Sequence, residues 1–317
     1  MGVAPYRLKI VGIIVAFIFL LILPPVLPSY WLTILTQMLI FGVLAMSLDI
    51  LMGYTGIVSF GHAAFFGTGA YVVAILSTRY QVGLLGCVGA AMLAAIVVAL
   101  IFGLLLSHTG DVYFLMITLA LGMVIWGLIY RWVSMTGGDN GIAGIPRPDL
   151  GIPISLDDPI VFYYAVLIVF LAVFFILWIF TRSPFGQSLQ GIRESVSRMR
   201  SLGYNTWLHK YLAYVIAGFF GGISGILWSY YNGFISPSDA DLNASTEVLL
   251  MVILGGPGSL VGPAIGAGIL VFLKNFVSAY THRWLMIIGG IYILLILYAP
   301  GGLTELVQRL TKRQARK

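Results

Sequence analysis

Charge is what this sequence has least of. Of 317 residues, 11 are acidic and 17 basic, together 9%, while 60% are hydrophobic. Soluble domains carry about 25% charged residues, and a globule of this length could not cover its surface with so few. A soluble enzyme and a disordered chain are excluded. The apolar fraction amounts to about 190 residues, enough for nine or ten bilayer spans of ~20 residues each, so a single-span receptor is excluded too. An outer-membrane barrel would alternate apolar and polar residues, and these runs are continuous. Cysteine is nearly absent. Cys87, alone inside an apolar run, permits no internal disulfide and no cysteine-cluster metal site; it reads as a small packing residue. No lysine follows a glycine, so there is no Walker A loop and the chain cannot hydrolyse ATP itself. The four histidines form no HExxH motif. No catalytic residue, metal ligand set or bound cofactor is expected.

Long uncharged runs are what the sequence does have. The stretch from Lys9 to Asp49 is too long for one span, and Pro24, Pro25 and Pro28 divide it into roughly Ile10–Leu27 and Trp31–Leu51. Further spans are expected between Asp49 and Arg79, ending near Leu76, then over Gly83–Leu106, Val112–Tyr130, Ile160–Phe180, Tyr211–Tyr231 and Trp284–Ala299. Two shorter pieces, Leu242–Leu254 and Pro263–Ala279, flank a Gly-Pro break and are counted as crossings. The expected fold is all-α: a polytopic inner-membrane helical bundle of about ten transmembrane helices, some broken at glycines, forming a single transmembrane domain over 1–317. Residues 10–180 hold the first six spans with an outer loop at 131–159, 181–210 a cytoplasmic segment, 211–303 the last four spans and 304–317 a basic tail. Ten crossings put both termini in the cytoplasm. The cytoplasmic side then holds Arg7, Lys9, Arg182, Arg193, Arg198, Arg200, Lys210, Arg309, Lys312, Arg313, Arg316 and Lys317 of the 17 basic residues, as the positive-inside rule requires. The net charge of +6 reflects this topology and implies no nucleic acid. The first apolar run ends Leu23-Pro24-Pro25 without a small-x-small cleavage site, so an uncleaved first helix is expected.

Within 181–210, Ser183 can cap a helix with Pro184 at its first position. Phe185, Leu189, Ile192, Val196, Met199 and Leu202 form one apolar stripe, and Gly203 is a natural stop. One amphipathic helix is expected, suited either to a groove in another protein or to the lipid headgroups. The outer loop at 131–159, rich in Gly and Pro with Asp139, Asp149, Asp157 and Asp158, reads either as a docking surface or as a turn-rich connector.

Small-xxx-small spacings at Gly218/Gly222, Gly221/Gly225 and Gly262/Gly266 read as close helix packing. Two Gly-rich segments, Gly53–His62 and Gly255–Pro263, interrupt helices. Broken helices at membrane depth are tolerated only when buried or lining a cavity, and paired breaks point to a translocation path through two related halves. The pathway expectation rests on Ser59, Gly61, His62, Glu247, Gly256 and Gly258. Intramembrane ionisable groups are functional by default, although His62 reads as a packing histidine and Glu247 as a first-turn carboxylate held by the helix dipole. Asp49 is expected near the interface. Gly222-Ile223-Ser224-Gly225 matches a serine-nucleophile pattern, but no histidine has obvious access to Ser224.

Several segments carry a resemblance. LDILMGYTGIVSFGHAAFFGTGAY at 48–71 resembles the first signature of the LivM/LivH-type permease subunits of branched-chain amino acid ABC importers. TGGDNGIAGIP at 136–146, SPFGQSLQGIRESVSRMRSLGYN at 183–205, SPSDADLNASTEVLLMVILGGPGSLVGPAIGAG at 236–268 and YAPGGL at 298–303 are similar to the LivM-like member, in order. Asp49 stands where Asn is more usual, and Pro257 where Leu often is. The resemblance implies import of branched-chain or similar apolar amino acids across the bacterial inner membrane; close relatives carry urea or short amides. It also implies a second, LivH-like permease, two ATPase subunits holding ATP and Mg, and a periplasmic or lipid-anchored binding protein. The segment 183–205 would couple to an ATPase through Gly186, Arg193, Glu194, Leu202 and Gly203. The alternatives are a self-sufficient secondary transporter or channel, which would need its own midplane carboxylates, and a membrane enzyme built on Ser224.

Overall fold

The computed structural model describes residues 20–21, 24–106, 111–148 and 155–281, with isolated positions from Arg283 to Leu303. The first and last expected spans and the basic tail lie outside the described residues for most or all of their length.

The described chain is an all-α bundle. Helix α1, Ser29–Asp49, continues as one widened π-turn over Ile50–Thr55. Then come α2 (His62–Arg79), α3 (Leu84–Leu106), α4 (Asp111–Arg131) and the single turn α5 (Val133–Thr136). Helix α6 spans Pro159–Arg182, α7 Pro184–Glu194, α8 Val196–Ser201 and α9 Thr206–Asn232. Helices α10 (Leu242–Gly255) and α11 (Val261–Tyr280) complete it. Among the described residues, six helices are long and apolar enough to cross a membrane, and α10 is shorter.

Helix α9 is the central post, packed against α1, α2 and α3. Its glycines make this possible. A Cβ on Gly222 would meet the Ala95 side chain, and one on Gly218 would meet Ala99 and Phe65, so the small-residue spacings mark helix contacts as expected. The outer faces of α3, α4 and α6 expose Leu93, Ile101, Val124, Ile168 and Ile176, side chains that only an apolar medium covers favourably. Cys87 is buried, its thiol donating to the Val82 carbonyl at 3.1 Å.

One end of the bundle carries Arg182, Arg193, Arg198, Arg200 and Lys210 and is called the basic end here. At the far end, β1 (Ile142–Ala143) pairs antiparallel with β2 (Phe234–Ile235), tying the 132–148 loop to the end of α9. Thr136, buried in that loop, donates to the Ile129 carbonyl at 2.6 Å.

Four expectations need correction. The single stripe helix over 183–203 is two helices, because Ser195 leaves helical geometry and caps α8 through Arg198 N at 3.3 Å. Serine oxygens offer the backbone this alternative wherever the helix is weakly held. The break turns Leu202 outward, 66% exposed, while Leu189 and Ile192 stay buried. Second, the third span takes up only part of the Asp49–Arg79 interval: residues to Thr55 prolong α1 beyond Leu51, and α2 begins at His62. Third, Asp49 does not reach an interface, being fully buried. Fourth, Glu247 is the sixth residue of α10; the carboxylate at that helix's start is Asp241, which caps Ala244 N at 2.8 Å.

Candidate functional site

The two Gly-rich segments, some 200 residues apart in sequence, fold into the turns of two helical hairpins. Residues 56–61 join α1 to α2, and residues 256–260 join α10 to α11. Both turns lie at the basic end, where the second touches the last turns of α1 just before the first. The Gly258 amide donates to Asp49 Oδ1 at 2.8 Å. The second oxygen of Asp49 has no hydrogen-bond partner. The approach is so close that a Cβ on Gly53 would overlap both Asp49 Oδ1 and the Gly258 nitrogen. Gly258 itself has φ +89°, a left-handed conformation that favours glycine.

Arg193, from the penultimate position of α7, closes this junction from outside the bundle. Its Nη1 donates to the Gly53 carbonyl. Its Cγ lies 2.8 Å from where a Cβ on Gly56 would stand, and Gly56 has φ +80°. The widened π-turn of 50–55 positions that carbonyl; such turns are frequent at functional sites. One side chain from the amphipathic segment thus bears on both hairpin turns.

The helix that presents Arg193 is built as its sequence suggests. Ser183 Oγ accepts from Gly186 N at 3.2 Å, Pro184 takes the first position, and Gly203, at φ +88°, ends the segment. Gly186 is pressed against the carbonyls of Phe180 and Thr181 where the chain turns sharply out of α6. Glu194, Arg198, Leu202 and Gly203 are exposed.

The other expected pathway residues divide between two places. Ser59, Gly61 and His62 are buried in and after the 56–61 turn. Phe60 N donates to Thr118 Oγ1 at 3.1 Å, and Gly61 rests on the Thr118 carbonyl so closely that a Cβ would not fit. His62 Nε2 lies 2.7 Å from Ser47 Oγ, whose proton is directed at the Leu44 carbonyl. The other ring nitrogen, Nδ1, is buried without a hydrogen-bond partner. Glu247 lies elsewhere, towards the far end, where Lys274 Nζ meets its two oxygens at 2.9 and 3.0 Å. Gly256, in the 256–260 turn, caps α10 through Val252 O.

Lys274 was not among the expected functional residues. A lysine within an apolar run was the available signal, because an intramembrane cation calls for a partner. Ser224 makes no nucleophile: its hydroxyl donates to the Ile40 carbonyl at 2.8 Å and is fully buried. Among the described residues, no three His, Cys, Asp or Glu side chains gather as a metal site.

A multi-pass apolar bundle with a basic amphipathic segment bearing on paired glycine turns defines a membrane permease. Residues 30–297 match the family described as Branched-chain amino acid transport system / permease component. The chain belongs to that family and is a permease subunit of an ABC importer, a transport subunit rather than an enzyme. It is 29% identical to the high-affinity branched-chain amino acid transport system permease protein LivM of Salmonella typhimurium, over 87% of this chain and 70% of the relative. The same figures hold for LivM of Escherichia coli. The corresponding LivH of Escherichia coli is 25% identical over 83% of this chain and 90% of the relative. No solved structure matches the chain significantly.

Proposed function

We propose that this chain moves branched-chain or similarly small, apolar amino acids into the cell across the bacterial inner membrane. It works beside a second, LivH-like permease, with two cytoplasmic ATPases that hold ATP and Mg and a binding protein outside. The names of its relatives support the substrate class, and the apolar helices support the location. The proposed topology has ten crossings in two related halves, formed by spans in 10–180 and 211–303. Both termini and the segment 181–210 lie in the cytoplasm, and 304–317 forms a basic tail. The basic end is then cytoplasmic, in line with the positive-inside rule.

The observation that carries the mechanism is the contact of Arg193 with Gly53 and Gly56, beside the Asp49–Gly258 bond. Arg193, Glu194, Leu202 and Gly203 form the coupling surface, and Gly186, buried against the end of α6, sets the turn that presents it. When the ATPases close on ATP, the α7–α8 segment moves, and Arg193 carries that motion to both hairpin turns. The hairpins rock, and the path along Ser59, Gly61, His62, Gly256, Gly258 and Glu247 changes which side it faces. Discrete repacking of this kind is how packed interfaces transmit motion. The test is the double replacement Arg193→Ala with Glu194→Ala in vesicles carrying the complete assembly. ATP hydrolysis is expected to continue while uptake falls at least tenfold. Unchanged uptake overturns the coupling role.

A further inference from the structure

Towards the far end, beside the 236–241 loop, a cavity of about 520 Å³ opens between α1, α2, α9, α10 and α11. That is within the range of small-molecule sites. Its walls differ in chemistry. Phe41, Leu44, Phe66 and Trp228 form an apolar side, with Phe41 and Trp228 rings 5.2 Å apart. Facing them is the Glu247–Lys274 ion pair. The pair is partly open, 26% and 34% exposed, so neither charge is sealed away from a solute in the cavity.

The surroundings hold these groups in place. Asp239 Oδ1 accepts from Trp228 Nε1 at 3.1 Å, and its Oδ2 accepts from Ser236 N at 2.9 Å, which fixes the indole against the cavity. Gln37 Oε1 accepts from Asn275 Nδ2 at 3.1 Å, one residue beyond Lys274. Gln37, Phe41 and Leu44 step along one face of α1, so the wall runs about 10 Å along the helix at 1.5 Å per residue.

We infer that this cavity is a transit subsite for a zwitterionic α-amino acid with an apolar side chain, in which Glu247 receives the ammonium, Lys274 the carboxylate, and the Phe41–Phe66–Trp228 wall the side chain. The inference rests on the importer reading above and adds the groups that would recognise the solute. A zwitterion suits the ion pair because it can insert between the two partners and leave both Glu247 and Lys274 with an opposite charge, while Asp239 and Asp241, which also line the cavity, are engaged with the Ser236 and Ala244 amides. A solute with one charge would strand the other, and burying an unpaired charge is strongly unfavourable. Asp239 and Trp228 are positioning and wall residues here.

The test uses the purified complete assembly without its binding protein, in nanodiscs, with ligand-observed NMR titrations. The probes are leucine, isoamylamine (no carboxylate) and 4-methylpentanoate (no ammonium). Lys274→Met is expected to weaken leucine roughly tenfold to hundredfold, the loss of one charge-assisted bond, without weakening isoamylamine. Glu247→Gln is expected to weaken leucine without weakening 4-methylpentanoate, and Lys274→Arg to retain leucine binding. Equal losses for all three probes would mean a structural role and overturn the inference. Leucine uptake by the wild-type assembly together with its binding protein in vesicles is measured in parallel. Uptake without saturable binding at this site overturns the subsite alone. Absence of both overturns the substrate reading together with it.

Discussion

Replacing Gly53 with alanine tests the contact between the two hairpins most sharply. The added methyl would overlap Asp49 Oδ1 and the Gly258 amide. Because the methyl meets both groups, the hairpins must separate and the carboxylate must swing away. Separation is overpacking, which costs about 1–3 kcal/mol. Displacing Asp49 leaves the Gly258 amide and a buried carboxylate without partners, about 1–3 kcal/mol more. The expected destabilisation is therefore about 2–6 kcal/mol. At roughly 2 °C per kcal/mol for a chain of this size, the unfolding midpoint should fall by about 4–12 °C, followed by tryptophan fluorescence in detergent. A double-mutant cycle makes the reasoning specific. Asp49→Ala removes one of the two clashing groups, so Gly53→Ala should be less harmful in that background. Strict additivity of the two changes, or a Gly53→Ala midpoint equal to wild type, would refute the contact.

Ser224→Ala should cost about 0.5–1.5 kcal/mol, through loss of the bond to the Ile40 carbonyl; thermal unfolding checks this, and a serine-directed covalent probe should leave Ser224 unlabelled. Ser195→Ala should loosen α8 by about 1 kcal/mol, through loss of its cap, seen as faster amide exchange over 196–201 with α7 unaffected. At the far-end loop, burial raises the Asp239 carboxyl above the usual carboxylate value of 3.8, against the lowering effect of its Ser236 and Trp228 hydrogen bonds. A raised folded value means that the folded state holds the proton more tightly, so stability should fall as pH rises from about 3.8 through the folded value. Asp239→Asn should flatten that slope in pH-dependent unfolding.

What could be read from the sequence was local. Long apolar runs gave helices α3, α4 and α6 nearly to their ends, and α9 all but its first five residues, because a bilayer-length run needs no partner to declare itself. Ser183, Pro184 and Gly203 marked their caps correctly, because capping depends on adjacent backbone groups. The break at Ser195 was hidden, since Val196 and Met199 continue the apolar stripe across it. The contact of Asp49 with Gly258 spans 209 residues of chain, and no periodicity encodes such a pairing. Glu247 was noticed, but its partner Lys274 was not; their placement depends on α10 and α11 folding back as a hairpin. The Gly-rich stretches read as breaks but turned out to be paired turns, and only the fold brings Arg193 to them.

The account makes the chain a gate without its own motor, so the most direct measurement is accumulation. Proteoliposomes are prepared with this chain alone or with the complete assembly of both permeases, ATPases and binding protein, and supplied with ATP on the ATPase side. The complete assembly should concentrate leucine against its gradient, and the chain alone should not. Concentration by the chain alone would contradict the account.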